Sequence, residues 1–192
     1  MKIFNQIILI LWLVFLVYWL ISAIGAKRSV HDGSWWHGAL FRLILIALVF
    51  LLLRTSQLEP FLRNIENYET GSSRIVLSSI GVFFCASGIA IAIWARVYIG
   101  RNWGMPMSRR EDPELVTTGP YAFVRHPIYT GMLLALLGSA LVSGILWLVP
   151  FVLVCAYFVY SAKTEEKQML QQFPKAYPEY RKRVKALIPF IW

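Results

Sequence analysis

The chain has 192 residues, of which 58% are hydrophobic and 15% charged, and its formal net charge is +9. Uncharged apolar runs long enough to cross a hydrocarbon core of about 30 Å exclude an ordinary soluble domain. The 19 Lys and Arg residues flank these runs. That arrangement is typical of membrane orientation, and it disfavours nucleic acid as a partner.

Five membrane-spanning helices are predicted in chain order. Residues 3–24, 35–53 and 75–94 form the first three, and the first apolar run is too long for a signal peptide. The next uncharged stretch, 128–160, is 33 residues long, which as one straight helix would measure about 50 Å. We therefore predict a short helical hairpin of residues 129–142 and 145–161, turning at Ser143-Gly144. Small side chains along the first of these helices would allow close packing within the hairpin.

The distribution of basic residues predicts the orientation in the membrane. Fifteen Lys and Arg residues lie in segments 25–42 and 95–127 and after residue 161, whereas four lie on the opposite face. The positive-inside rule therefore predicts that these three segments are cytoplasmic. The chain divides into three membrane helices in residues 1–99 and a second region, 100–192, with a cytoplasmic loop, the hairpin and a basic tail. We expect this tail to lie on the membrane surface, where it would either serve as an anchor alone or close over a small molecule bound at the loop.

Two polar segments carry the residues suited to chemistry, namely residues 100–129 and the tail from Glu165. Because the two feet of a hairpin are neighbours, Arg125, His126 and Tyr129 should lie beside Glu165 and Glu166. The cluster would supply a carboxylate pair, an imidazole, guanidinium groups and aromatic faces. Such a set can hold a small zwitterionic or cationic ligand.

Other kinds of site find no support in the pattern. His31, His37 and His126 do not have a metal-ligand spacing, and no phosphate-binding glycine motif occurs, so we predict no metal and no P-loop chemistry. Plainer interpretations of the cluster also exist. His126 would cap the helix that starts at Pro127, and Glu165 and Glu166 would be solvated charges where a helix leaves the membrane.

The motifs resemble those of the isoprenylcysteine carboxyl methyltransferases. The resemblance rests on residues 115–131 (LVTTGPYAFVRHPIYTG), on Glu165-Glu166 and on residues 177–184 (YPEYRKRV), in that order. It covers roughly residues 100–192, and the first two spans match only in hydrophobicity. It implies a membrane enzyme that transfers a methyl group from S-adenosylmethionine to the terminal carboxylate of an S-prenylated cysteine, releasing S-adenosylhomocysteine. Such a carboxylate, with a pKa near 4, is already ionised and needs no general base.

The resemblance also implies which residues contact the cofactor. These are Pro113, Glu114, Leu115, Val116, Tyr121, His126, Pro127, Ile128, Tyr129, Glu165 and Glu166. One position departs from the pattern, because Ser161 stands where relatives tend to carry a substrate-facing arginine. Arg101 and Arg125 are therefore our candidates for the residue that binds the acceptor carboxylate.

Two other functions stay open at this point. Related membrane methyltransferases share the C-terminal pattern, so the acceptor would instead be another lipophilic nucleophile, such as a phospholipid amine. A small transporter or channel subunit is the alternative outside the enzymes. It is disfavoured because Arg42 is the one charged residue that interrupts the predicted spans.

Overall fold

A computed structural model describes residues 2–23, 29–30, 72–103, 109–110, 114–144 and 147–189. Within these residues the fold is helical, with helices α1 (Lys2–Ala23), α2 (Ser72–Ile99), α3 (Pro127–Ser143), α4 (Leu148–Gln172) and α5 (Ala176–Arg183). Short 3-10 turns occur at Gly100–Asn102 and Gly119–Ala122, and the two-residue strands β1 (Ser29–Val30) and β2 (Arg109–Arg110) pair antiparallel. The predicted second span, 35–53, lies outside the described residues.

Three of the described helices are long and apolar enough to cross a membrane, over Lys2–Ser22, Ser73–Asn102 and Leu148–Gln172. The predictions of helices at 3–24 and 75–94 are confirmed. Helix α3 is apolar but has only 17 residues, about 26 Å of helix.

The boundaries of the predicted hairpin need one correction. Its second helix was predicted to stop at residue 161, just before the first charged residues, but α4 continues to Gln172. Glu165 and Glu166 therefore lie on a rigid helix and not in the tail. Helix α3 begins at Pro127, because proline lacks the N–H that the first turn leaves unpaired and has its φ already near the helical value.

Helix α3 packs closely against α2, which the sequence analysis did not anticipate. A Cβ added to Gly81 would lie 2.7 Å from the carbonyl oxygen of Gly138, and one added to Gly131 would lie 2.5 Å from that of Gly88. The two glycine pairs show that the helices run antiparallel with their backbones in contact. The small residues of α3, expected to serve the hairpin, thus serve this α2–α3 contact.

Polar contacts at the two ends of the bundle fix the helix directions. At one end Arg74, in the first turn of α2, donates to the carbonyl of Val142 at 3.3 Å, and Ser143 lies 3.3 Å from the side chain of Asn5. At the other end Arg96 donates to the carbonyl of Ser22. Helices α1 and α2 therefore run parallel to each other, and α3 runs antiparallel to both.

Arg96 is a correction to the sequence analysis, which counted it as a loop residue. It lies inside α2 with 4% of its surface exposed. Its guanidinium donates to the carbonyl of Gly100 at 2.7 Å and stands 4.6 Å from the centre of the Trp103 ring. Arg96 thus ties the C-terminal end of α1 to the turn that follows α2.

The C-terminal segment packs into the protein instead of lying free on a surface. Tyr177 and Tyr180 of α5 are 3% and 4% exposed. Beyond α5 the chain runs beside residues 124–126, with a parallel bridge between Val124 and Lys185. The buried side chains of Ala186 and Leu187 join the apolar cluster between α3 and α4. The tail is therefore part of the core at this end of the bundle.

Candidate active site

The feet of α3 and α4 bring five polar side chains together, as the hairpin argument predicted. The Tyr129 hydroxyl donates to Oε1 of Glu165, and Nδ1 of His126 lies 3.5 Å from Oε2 of the same carboxylate. Nε of Arg125 donates to Oε1 of Glu166 at 2.9 Å. The predicted proximity of these residues is confirmed; their roles are a separate question.

His126 is held between the two carboxylates and on an aromatic stack. Its Nε2 lies 3.5 Å from Oε1 of Glu166, and its side chain is 9% exposed. Its ring lies parallel to that of Tyr129 at 5.6 Å, and the Tyr129 ring stacks on Phe158 at 4.4 Å. The side chain makes no capping hydrogen bond to α3. The interpretation of His126 as a simple helix cap is therefore wrong.

Electrostatics favour the charged form of His126. Burial lowers the pKa of the imidazole, but the facing carboxylates of Glu165 and Glu166 outweigh burial, so the pKa lies above its usual value. The nearby Tyr121 phenol shows the opposite preference. Burial, reinforced by the charge of Glu165, raises the pKa of Tyr121. The site thus combines an imidazole whose protonated form is favoured, two carboxylates and phenols whose neutral form is favoured.

The two glutamates have different surroundings. The Glu165 side chain is 23% exposed, whereas that of Glu166 is 11% exposed. Glu166 is also engaged on both oxygens, since Oε1 accepts from Arg125 and Oε2 lies 3.4 Å from Nε of Arg181. Glu165 is therefore the carboxylate better placed to meet a ligand.

Arg125 and Arg101, the two candidates for the acceptor carboxylate, differ in accessibility. The Arg125 side chain is 7% exposed, and besides Glu166 it donates to the carbonyls of Val184 and, at 3.5 Å, Arg181. Arg101 is exposed in the 3-10 turn after α2. The structure records no hydrogen bond or ion pair between Arg101 and the described residues of the cluster.

Tyr121, Pro127 and Ile128, three of the remaining predicted cofactor contacts, lie close to this cluster. Tyr121 is buried in its 3-10 turn, where its hydroxyl donates to the carbonyl of Ala95 at 3.4 Å and its own carbonyl accepts from Tyr180. Pro127 is fully buried, and Ile128 packs against the apolar cluster of α3 and α4. Four further positions precede Tyr121: Glu114 is exposed, Leu115 and Val116 are partly buried, and Pro113 lies outside the described residues.

Sequence reasoning missed three contributors to the site. Phe158 extends the aromatic stack, Arg181 pairs with Glu166, and the carbonyls of residues 184–187 bind the segment before α3. Phe158 is seven residues before Glu165, two helical turns, and this spacing would have placed both on one face of α4. Carbonyl acceptors leave no signal in the sequence.

The chain is similar in sequence to several methyltransferases. A family model described as phospholipid methyltransferase matches residues 76–176. The chain is 30% identical to the protein-S-isoprenylcysteine O-methyltransferase of Schizosaccharomyces pombe over 178 residues, which make up 91% of this chain and 67% of the relative. It is also 30% identical to protein-S-isoprenylcysteine O-methyltransferase B of Arabidopsis thaliana over 119 residues, 60% of each protein.

A bacterial relative carries a different name. The chain is 33% identical to the cobalt-zinc-cadmium resistance protein CzcN of Cupriavidus metallidurans over 94 residues, 47% of this chain and 43% of that protein. The matches therefore cover between 43% and 67% of the length of these three relatives. The stretch matched by the family model contains both the 115–131 segment and the Glu165-Glu166 pair.

Proposed function

Because the chain belongs to the isoprenylcysteine methyltransferase type of the phospholipid methyltransferase family, we propose that it methylates the terminal carboxylate of an S-isoprenylated cysteine, using S-adenosylmethionine. The observation that carries the proposal is the meeting of His126, Tyr129 and Glu165 at the foot of the hairpin. These residues belong to the motif that defines the resemblance, and the fold joins them into one polar cluster.

The chemistry of the cluster fits the cofactor. S-adenosylmethionine carries hydroxyl and ammonium donors, a cationic sulfonium and an adenine ring. The partly exposed carboxylate of Glu165 can accept hydrogen bonds from such donors, and neutral phenol and phenyl faces suit a cation or a flat ring. The buried Nε2 of His126 has no hydrogen-bond partner among the described residues. Its nearest charged neighbour is Oε1 of Glu166 at 3.5 Å.

We assign roles to the residues on this basis. Bound S-adenosylmethionine would supply the electrophilic methyl group, and an ionised acceptor carboxylate needs no base. Glu165, His126 and Tyr129 would hold and orient the cofactor, with Tyr121 and the 113–116 segment beside them. The stack from His126 to Phe158 leads into the apolar cluster of α3 and α4, which would receive the prenyl chain and exclude water.

Cofactor binding is the first property to test. We expect S-adenosylhomocysteine, titrated calorimetrically into detergent-purified protein, to bind saturably, and Glu165→Gln to weaken binding at least tenfold, because a hydrogen bond to a charged group contributes about 1.5–3 kcal/mol. Lys182→Gln is the matched control, since Lys182 is 70% exposed and pairs with Glu179. No binding to the wild type would refute the proposal.

A second acceptor, a phospholipid amine, is favoured by one observation. Ser161 is fully buried, and its hydroxyl has no hydrogen-bond partner among the described residues. The guanidinium of Arg125 is engaged with Glu166, so of the two candidate arginines only Arg101 remains to bind an acceptor carboxylate. A phospholipid amine would not need such an arginine. Methyl transfer from labelled S-adenosylmethionine to N-acetyl-S-farnesylcysteine or to phosphatidylethanolamine would separate the two acceptors. We further propose that the enzyme crosses the membrane five times, with the site facing the cytoplasm.

A further inference from the structure

We infer that Arg125 and Glu166 are positioning residues, which pin C-terminal residues 181–187 against the foot of α3 and so complete the cofactor site without touching the ligand. The sequence had suggested direct contacts for both, with the acceptor for Arg125 and with the cofactor for Glu166. The inference rests on the proposed function, because the cofactor is the ligand whose binding reports on the tail.

We call the ion pair of Arg125 and Glu166, together with the hydrogen bonds from Arg125 to residues 181–187, the clamp. It joins three parts of the chain. Arg125 precedes α3 and donates through Nε to Glu166 of α4 at 2.9 Å. Nη2 also donates to Glu166, and Nη1 donates to the carbonyls of Val184 and Arg181. Oε2 of Glu166 lies 3.4 Å from Nε of Arg181, at the end of α5. The pair therefore connects α3, α4 and the tail.

The tail in turn holds the backbone that carries His126. The N–H of Arg125 donates to the carbonyl of Lys185 at 2.8 Å, and the N–H of His126 donates to that of Ala186 at 3.0 Å. One turn into α3, the Thr130 hydroxyl donates to the carbonyl of Leu187 at 2.7 Å. Displacement of the tail would release all three bonds, and the position of the His126 ring beside Glu165 would no longer be fixed.

Burial explains why substitution of either Arg125 or Glu166 should disrupt the clamp. The side chains of Arg125 and Glu166 are 7% and 11% exposed. Removing Glu166 leaves the buried guanidinium of Arg125 without a carboxylate, and removing Arg125 leaves Glu166 with only the longer contacts to Arg181 and His126; both changes are unfavourable. The tail would then open, and the apparent affinity for the cofactor falls by the fraction of molecules that keep the competent arrangement. A molecule closed one tenth of the time would bind about tenfold more weakly.

Hydrogen exchange distinguishes positioning from contact. In ligand-free protein, we expect Glu166→Gln to increase amide exchange in peptides covering residues 124–127 and to weaken S-adenosylhomocysteine binding by about tenfold. Saturating S-adenosylhomocysteine should restore the protection, because it selects the closed tail. Glu165→Gln should weaken binding while exchange in these peptides stays at the wild-type level. Weaker binding in Glu166→Gln with unchanged exchange would overturn the inference in favour of direct contact.

A disulfide that holds the tail against the segment before α3, which we call the lock, tests whether the affinity lost in Glu166→Gln can be restored. Val124 and Lys185 form a parallel bridge, and neighbouring strands lie about 4.7–4.9 Å apart, within the Cα range of a disulfide. We expect the oxidised pair Val124→Cys and Lys185→Cys to return most of the affinity lost in Glu166→Gln, and reduction to remove it again. A Glu166 that touches the ligand would not be rescued by the lock.

Failure of this inference can be told apart from failure of the proposed function. Absence of binding by the wild type refutes the methyltransferase proposal and this inference with it. Wild-type binding without rescue by the lock refutes the clamp alone. So that the test does not depend on the folding of Glu166→Gln alone, Arg125→Lys provides a second variant that keeps the charge. It should give an intermediate increase in exchange, since lysine cannot bridge Glu166 and the tail carbonyls together.

Discussion

At the scale of single residues, the charge of His126 predicts how stability depends on pH. The carboxylates of Glu165 and Glu166 raise the pKa of the buried imidazole against the effect of burial. Because the unfolded value is about 6.5, the stability that the ion pairs contribute is complete below about pH 6.5 and is lost as the pH rises through the folded-state pKa. We expect the melting temperature in detergent to fall as the pH rises from about 6.5 through the folded-state pKa of His126.

The variant His126→Gln isolates this contribution. It should melt lower than the wild type at pH 6, and the difference should narrow as the pH rises, because the wild type alone loses an imidazolium there. The other two histidines are present in both proteins, so the difference between the curves reports on His126. Parallel curves between pH 6 and 9 would show that His126 is not held as a cation.

Tyr129 makes two contacts that a single substitution can separate. Its ring stacks between His126 and Phe158, and its hydroxyl donates to Glu165. Tyr129→Phe keeps the stack and removes the donor that orients the carboxylate. Since such a bond contributes about 1.5–3 kcal/mol, we expect S-adenosylhomocysteine binding to weaken by about tenfold or more in calorimetry. Tyr160→Phe, at a phenol that is 62% exposed, is the matched control and should bind normally.

At the scale of elements, the contact between α2 and α3 depends on glycine. A Cβ at Gly88 would lie 2.5 Å from the amide nitrogen of Ala135, so backbone would have to move. Overpacking typically costs about 1–3 kcal/mol, and we expect Gly88→Ala to lower the melting temperature by roughly 2–12 °C. Ala90→Val adds more bulk at an exposed position of the same helix and should change it little. Equal melting of both variants would contradict close backbone packing.

The sequence predicted which elements exist better than it predicted how they pair. Apolar runs located α1 and α2, and the hairpin argument placed His126 beside Glu165 before any coordinates. The run of small residues from Gly131 to Gly138 signalled a close helix contact, but the pattern is equally compatible with α2 or α4 as partner. The packing partner of α3 is decided by small residues at matching positions on the facing helix, here Gly81 and Gly88 of α2. Which residues face each other depends on how the helices pack in space.

The end of α4 and the tail were predicted poorly for physical reasons. Charge at Lys163 ends a membrane run, yet a helix continues through charged residues once it leaves the apolar core, so α4 reaches Gln172. The tail binds residues 124–126 mostly through its carbonyl groups. Every residue carries these acceptors, so their pairing depends on the position of the chain in space.

At the scale of the whole molecule, the helix directions agree with the positive-inside argument. Asn5 and Arg74 meet the C-terminal end of α3, whereas Ser22 and Arg96 meet at the end that carries the site. The five-span prediction requires α1 and α2 to run parallel, because it places one further span, 35–53, between them. The pairing of β1 with β2 places Ser29–Val30 beside Arg109–Arg110, so these two parts of the basic segments lie next to each other.

Sidedness in the membrane is the last property to test, because it decides how a water-soluble cofactor reaches the site. We expect a cysteine at Lys182, which is 70% exposed, to react with a membrane-impermeant maleimide in inverted vesicles and not in spheroplasts. Asn67→Cys, in the connection predicted to face outward, should give the reverse pattern. Cys85 and Cys155 lie within α2 and α4, where an impermeant reagent does not reach them. Labelling of Lys182→Cys from outside would place the site away from the cytoplasmic cofactor pool and overturn the orientation.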